Sequence, residues 1–285
     1  DVTVEKNIII TGGTRNYLSI VKQANNVDYW IITHMQSTNS YNVFSLNSSG
    51  ISNTPIVSTL GLESYYDSEG FLKFSPKGDK LVMTGSNGSN FGQLFDFNNI
   101  TGLLSNPLLL IYSPYDGVYG AEFSPNGEVL YFTGTENVRQ FDLTASNIPN
   151  SVQTIFVTQT ISALQIGPNS KIYIGRVYED KLCVINNPNQ LGLGCNITVD
   201  NIDLNNHDCI GSLPSFNQSF FFTPAIQLNN SCEGDAINFS FSTNQTILSA
   251  NWNFGDGNTS NAVSPTHTYT SAGTFPVTVA ITTPN

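Results

Sequence analysis

Short runs of alternating or continuous apolar residues, four to nine long and broken by Gly, Pro, Asn and Ser, recur along this chain; none has helical spacing. One run is a complete hairpin unit. In Phe123-Ser-Pro-Asn-Gly-Glu-Val-Leu-Tyr-Phe-Thr-Gly134 an apolar strand end meets Ser-Pro-Asn-Gly turn chemistry, and Val129 to Thr133 reads as a strand of β-branched and aromatic residues. The unit appears earlier as Phe74-Ser-Pro-Lys-Gly-Asp-Lys-Leu-Val-Met-Thr-Gly85. It appears later, one residue shorter, as Ile166-Gly-Pro-Asn-Ser-Lys-Ile-Tyr-Ile-Gly175. The copies lie 49 and 43 residues apart. A second strand follows each copy, at Leu94–Phe97, Gln140–Leu143 and Cys183–Asn186, and a more divergent copy precedes them at Asn25–Thr33 with Val43–Leu46.

A period of 40 to 50 residues with several short strands per copy is what a propeller blade produces, since one four-stranded sheet cannot bury both faces without neighbours. A β-sandwich with coincidental Ser-Pro-x-Gly turns is the competing reading. The pattern predicts an all-β chain with at least four blades in residues 1–223, spanning about 17–46, 65–97, 118–143 and 161–185. It also predicts that Phe74, Phe123 and Ile166 are equivalent buried positions, as are Phe95, Phe141 and Val184. Four copies would suit either a four-bladed ring or part of a larger one; strands at Val2–Ile10 and Phe216–Phe222 belong to no copy, which favours a partial β-propeller whose upstream blades lie outside the sequence and complete the ring.

Residues 224–285 change pattern. Ala236–Phe241 alternates, Ala250–Phe254 is a second strand, Gly255-Asp-Gly257 is a tight turn, and Phe275, Val277, Val279 and Ile281 share one face of a strand over Thr274–Ile281. These short strands form a small β-sandwich.

Composition narrows the class. Charged residues are 11% of the 285, against about a quarter in average proteins, and Asn, Ser and Thr take the polar positions, a composition suited to the cell exterior. The net charge of −11, with ten Lys plus Arg, argues against nucleic acid or an anionic membrane as a partner. No apolar run is long enough for a membrane span, and the first residues lack the pattern of a signal peptide; a secretion address would lie outside this sequence.

Cys183, Cys195, Cys209 and Cys232 fall in one fifty-residue window and are disulfide candidates in an oxidising compartment. Sequence leaves three connectivities open. Cys195–Cys209 is the preferred pair because it ties down one Gly- and Asn-rich connection, and the spacings fit no common zinc module. The stretch Asp200-Asn-Ile-Asp203-Leu-Asn-Asn-His-Asp208 offers oxygen ligands that suit calcium without an EF-hand pattern, and a solvated turn-rich loop is the plainer account. The three histidines, His34, His207 and His267, form no triad with Ser and Asp, and Gly85–Gly92 lacks the Lys-Ser/Thr ending of a phosphate loop. Nine Asn-x-Ser/Thr sequons reflect the composition. The residues therefore give no catalytic, cofactor-binding or metal site.

Two resemblances are carried by particular residues. Ala24-Asn-Asn-Val-Asp-Tyr-Trp-Ile-Ile-Thr-His34, Gly70-Phe-Leu-Lys-Phe-Ser-Pro, Tyr119-Gly-Ala-Glu-Phe-Ser-Pro, Ala163-Leu-Gln-Ile-Gly-Pro, Val184-Ile-Asn-Asn-Pro-Asn, Leu191-Gly-Leu-Gly-Cys-Asn196 and Leu213-Pro-Ser-Phe-Asn-Gln-Ser-Phe-Phe221 follow in order. That series resembles the propeller region of large Bacteroidetes cell-surface proteins exported by type IX secretion, the gliding-motility-associated (type B sorting-domain) group. Trp252-Asn-Phe-Gly-Asp-Gly257, His267-x-Tyr269, Gly273 and Val277-x-Val279 are similar to the PKD (polycystic kidney disease) domain, an immunoglobulin-like sandwich. The resemblances imply a secreted, cell-surface location outside the outer membrane. They imply a non-enzymatic adhesin or scaffold whose partners are other surface proteins or extracellular polysaccharide, with the PKD module as spacer. Two alternatives stay open: a subunit of an extracellular filament or surface layer, and a glycan-acting enzyme to which Glu63, Asp67 and Glu69 contribute.

Overall fold

The computed structural model describes residues 9–63, 70–85, 90–113, 117–134, 136–157, 161–209, 211–214, 217, 225–228, 234–242 and 247–282. It divides into two compact units, residues 1–219 and 220–285. The expected strands at Val2–Ile10 and Phe216–Phe222 fall almost wholly outside the described residues.

Among its described residues the first unit holds four antiparallel sheets, each a meander in chain order. The first contains β1 (Thr14–Lys22), β2 (Tyr29–Met35), β3 (Ser40–Asn47), β4 (Gly50–Ile51) and β5 (Ile56–Thr59), the last also pairing with β3. The second contains β6 (Leu72–Phe74), β7 (Lys80–Gly85), β8 (Asn90–Asn98) and β9 (Leu103–Ser113). The third contains β10 (Ala121–Phe123), β11 (Val129–Thr133), β12 (Asn137–Asp142) and β13 (Gln153–Val157), and the fourth β14 (Ile161–Ile166), β15 (Ile172–Arg176), β16 (Lys181–Ile185) and β17 (Ile197–Asp203). The first strands adjoin in succession, β1 to β6, β6 to β10 and β10 to β14. This is the β-propeller arrangement.

The turn chemistry produces the same loop four times. Ser75 N–H donates to Lys80 O and Gly78 N–H to Ser75 O, and the third copy repeats both bonds at Ser124, Val129 and Gly127. In the divergent first copy Gln23, Asp28 and Asn26 do the same, and in the shorter fourth copy Gly167, Lys171 and Ser170 do so. The residue that closes each loop has positive φ: 60° at Asn26, 69° at Gly78, 74° at Gly127 and 62° at Ser170. Glycine adopts that conformation freely, which explains its place in the two best-matched copies. The recurrent serine has a separate use, since Ser75 Oγ accepts from the Asp79 and Lys80 N–H groups and Ser124 Oγ from Val129 N–H.

The sheets pack through alternating faces. Leu81, Met83 and Phe95 turn toward the first sheet and bury against Tyr17, Ile32, Tyr41 and Val43, while Val82 and Leu94 turn toward the third and bury against Phe123, Leu130, Phe132 and Phe141. Phe74, Phe123 and Ile166 are equivalent, opposite Leu81, Leu130 and Ile172. The third-strand partners of these residues are Phe95, Phe141 and Ile185. Ile185 therefore replaces Val184 in the expected set. The first turn of the fourth copy is one residue shorter, but its second hairpin, from Ile172 to Ile185, is two residues longer than that from Leu130 to Phe141, so the partner falls one place later and on the other face.

The second unit stacks two three-stranded sheets. One orders β18 (Ala225–Leu228), β19 (Ile237–Ser242) and β22 (Thr266–His267), and the other β21 (Thr259–Ser260), β20 (Ser249–Asn253) and β23 (Thr278–Thr282). Between them lie Ile237, Phe239, Ala250, Trp252, Phe254 and Tyr269, with Phe275, Val277, Val279 and Ile281 against the same core. The last strand begins at Thr278, later than the alternation suggested, because Pro276 has no N–H for a ladder.

Candidate functional site

Each innermost strand has one residue opposite the aromatic or apolar position that begins the outward path of the sheet. These are Val21, Lys73, Glu122 and Gln165, opposite Trp30, Val82, Tyr131 and Tyr173. Repetition thus brings an ammonium and a carboxylate, 49 positions apart in sequence, into one buried row. Lys73 Nζ lies 2.8 Å from Glu122 Oε2, with side-chain exposures of 8% and 0%. Lys73 also donates to the Leu164 carbonyl and to Gln165 Oε1, and its Nζ is 5.5 Å from the centre of the Phe71 ring. Glu122 accepts from Ile166 N–H at 2.9 Å and Phe123 N–H at 3.0 Å. A buried pair is tolerable only when its remaining donors and acceptors are met, and here they are met by the innermost strands of the third and fourth sheets. Glu122 also satisfies an N–H on the innermost edge of the next sheet, which no strand pairs among the described residues.

Two threonines repeat a second device beside this row. Thr84 Oγ1 accepts from Phe71 N–H in its own sheet and donates to Tyr119 O at the entrance of the next. Thr133 Oγ1 accepts from Gly120 N–H and donates to Ser162 O. Gly120 must lack a side chain, since a Cβ there would fall 2.6 Å from Thr133 Oγ1 and 2.7 Å from Ser162 O. The terminal Thr-Gly of the repeat unit is therefore a latch between sheets.

His34, fully buried, packs edge-on to Tyr17 at 5.7 Å and to Tyr41 at 4.6 Å. Burial pushes its pKa down to about 4, so the ring is neutral at pH 7. Tyr17 donates to Thr84 O and Tyr41 to Met83 Sδ, which ties this aromatic group to the second sheet.

Cys183, Cys195 and Cys209 are buried free thiols, and Cys232 lies outside the described residues. The expected Cys195–Cys209 disulfide is corrected. Cys195 O accepts from Asn187 N–H beyond one end of β16, whereas Cys209 N–H donates to Glu179 O before the other end. β16 alone spans about 16 Å, more than twice the Cα separation a disulfide bridges. Cys183 is opposite Ile174 and shares its face, while Cys209 Sγ lies over the neighbouring Gly175 on the opposite face. Burial raises the Cys183 thiol and pushes Cys195 up to about 11.

The acidic stretch is committed locally. Asp200 pairs with Arg176, and Asp203 Oδ1 accepts from Asn205 N–H at 2.7 Å. His207 and Asp208 are exposed and stand apart from the sheet, and among the described residues no three His, Cys, Asp or Glu side chains converge as a metal site would require. Glu63 lies in a loop, and Asp67 and Glu69 lie outside the described residues. Gly85 and Gly92 belong to the paired strands β7 and β8.

In the second unit His267 Nε2 meets Asp256 Oδ2 at 2.7 Å and its ring stacks on Phe254 at 4.2 Å. Burial alone would raise the Asp256 carboxyl, but hydrogen bonds from the Asn258 N–H and side chain and from His267 hold it at about 2. Trp252 donates to Ala262 O and Tyr269 to Phe254 O, so the motif residues brace the turn and the core.

Residues 223–285 match the family model described as PKD domain. No curated protein matches the chain. Among solved structures, the periplasmic gluconolactonase PpgL of Pseudomonas aeruginosa is similar at 11% identity and a TM-score of 0.46, over 90% of this chain and 72% of that one. The β-propeller domain of Myceliophteria thermophila Cps50 (Swd1) is similar at 8% identity and a TM-score of 0.37, over 56% and 47%. A chain of a nidogen/laminin complex is similar at 13% identity and a TM-score of 0.41, over 58% of this chain. This chain spans 57% of that nidogen/laminin chain. Among the described residues no helix is long and apolar enough to cross a membrane.

Proposed function

We propose that this chain is a non-enzymatic module of a secreted, cell-surface protein, in which the propeller presents loops to other surface proteins or extracellular polysaccharide and the PKD domain acts as a spacer. One observation carries the reading: the buried Lys73–Glu122 pair spends its hydrogen-bonding capacity on Leu164, Gln165, Phe123 and Ile166. A general acid or base needs an open lone pair or proton within reach of substrate, and this pair offers its groups to neighbouring strands instead. The low charge content and the PKD match support an extracellular setting.

The ordered motif series from Ala24 to Phe221 supports placement among Bacteroidetes surface proteins exported by type IX secretion, with gliding-motility-associated adhesion as the finer assignment and upstream sequence of the same parent as a further partner. The test is to immobilise the purified chain and measure retention of extracellular polysaccharide and of surface proteins from a gliding bacterium, while following the polysaccharide for cleavage. Saturable retention of intact material is expected. Turnover that persists in the purified chain, or the absence of retention from either source, would sink the proposal.

A further inference from the structure

The latch position of the fourth sheet holds no threonine. Counting from Leu81, Leu130 and Ile172, the residue that is Thr84 in the second sheet and Thr133 in the third is Gly175 in the fourth. Two groups converge on its bare Cα. A Cβ there would lie 2.7 Å from Ser162 Oγ and 2.8 Å from Cys209 Sγ. Ser162 is 1% exposed, and among the described residues its hydroxyl has no hydrogen-bond partner.

The thiol arrives on residues 204–209, which cross the turn between β15 and β16. Leu204 N–H donates to Asp180 O, Cys209 N–H donates to Glu179 O, and Tyr178 N–H donates to Cys209 O. Residues 205–208 between these anchors are exposed, with positive φ at Asn205 and Asn206. The segment is a strap whose one buried side chain occupies the space that a threonine fills in the second and third sheets.

We infer that residues 204–209 form a thiol-responsive strap: Cys209 seated on Gly175 holds it shut, and a covalent adduct on that sulfur lifts it and uncovers Ser162 and the latch position. The adduct would come from a small disulfide. The Cys209 thiolate attacks one sulfur, the S–S bond of the reagent breaks as the mixed disulfide forms, the displaced thiolate leaves with the electron pair, and the Cys209 proton passes to solvent. The seated sulfur is hemmed in, since Cys209 is 6% exposed and on its Gly175 side even one added methyl group would lie only 2.8 Å away, so a bulky substituent is accommodated by lifting the strap.

The test uses the full chain carrying Cys232→Ser and Ellman's reagent, an aromatic disulfide. One equivalent should react in the native protein, and Cys209→Ser should abolish it; Cys183 and Cys195 should react only on unfolding. Protease cleavage within 204–209 should rise at least about tenfold in the adduct, as expected when opening becomes favourable, and return on reduction with dithiothreitol. Gly175→Ala should accelerate the labelling of Cys209 without reagent-induced opening; should that variant fail to fold, the cleavage comparison stands alone. No native reaction at Cys209, or an adduct that leaves cleavage of the strap unchanged, would overturn the inference.

Discussion

At the scale of single residues, this chain uses its few charges in opposite ways. Lys80 and Asp96 form a half-exposed pair of the kind worth little, whereas Lys73 and Glu122 are sealed between strands. Removing one sealed partner strands the other. Lys73→Met is therefore expected to destabilise the propeller unit by about 3–5 kcal/mol, and Lys73→Met with Glu122→Leu to recover part of that loss. Denaturant unfolding of the two single variants and the double variant measures this, and purely additive losses would contradict it. The pair was not legible in sequence. Each residue sits immediately before the repeat's apolar position, where a lone charge in a strand reads as solvated, and only the rotation of one sheet onto the next joins residues 49 apart. The free cysteines were misread for a related reason. Their spacing suggested a loop staple, but β16 stands between Cys195 and Cys209, and no spacing records which end of a strand each one reaches.

At the scale of elements, the hairpin unit was legible because its turn has local causes: a positive φ at the closing residue and a serine that accepts backbone N–H groups. The inter-sheet latch was half legible, since Thr84-Gly85 and Thr133-Gly134 repeat, but the carbonyl each threonine reaches belongs to the following copy. Valine keeps the shape and removes the hydroxyl. Thr133→Val would leave Gly120 N–H and Ser162 O unpaired in a buried place, at about 1–3 kcal/mol for each unsatisfied group. Thr84→Val should cost a similar amount through Phe71 N–H and Tyr119 O. Thr133→Ser, which retains the hydroxyl, should cost distinctly less. Thermal unfolding of the three variants checks the order; a serine variant as unstable as the valine variant would mean that the methyl group, and not the latch, matters. The one error of register has the same local origin. The β15–β16 hairpin runs 13 residues from Ile172 to Ile185 where β11–β12 runs 11 from Leu130 to Phe141, which outweighs the shorter first turn and exchanges Val184 for Ile185, and no turn motif in the sequence marks that extra length.

At the scale of the whole molecule, the two units carry titrating groups with different acid ranges, and this makes their stabilities separable. In the propeller unit His34 is held neutral, with its pKa lowered from 6.5 to about 4. The unfolded chain therefore takes up a proton that the folded unit refuses as pH falls below 6.5. Stability drops through that window and levels off below about 4, by a total of about 3 kcal/mol from this group. In the sandwich the sign and the window differ. Asp256 is held at about 2, below its ordinary value near 3.8, so its contribution is fully present above that value and is lost only as pH falls toward 2. Calorimetry of the intact chain from pH 7 to pH 4.5 should show the propeller transition moving down while the sandwich transition holds its place. Two substitutions assign the transitions. His34→Phe, which keeps an aromatic ring between Tyr17 and Tyr41 and cannot protonate, should flatten the pH dependence of the first. Trp252→Ala should lower the second by about 3–5 kcal/mol and leave the first unmoved, since Trp252 is fully buried among Phe239, Phe241 and Phe254 within the sandwich. A single transition shifted by both substitutions would mean that the two compact units do not unfold as separate domains. A propeller transition insensitive to pH above 4.5 would mean that His34 is not held neutral by its burial.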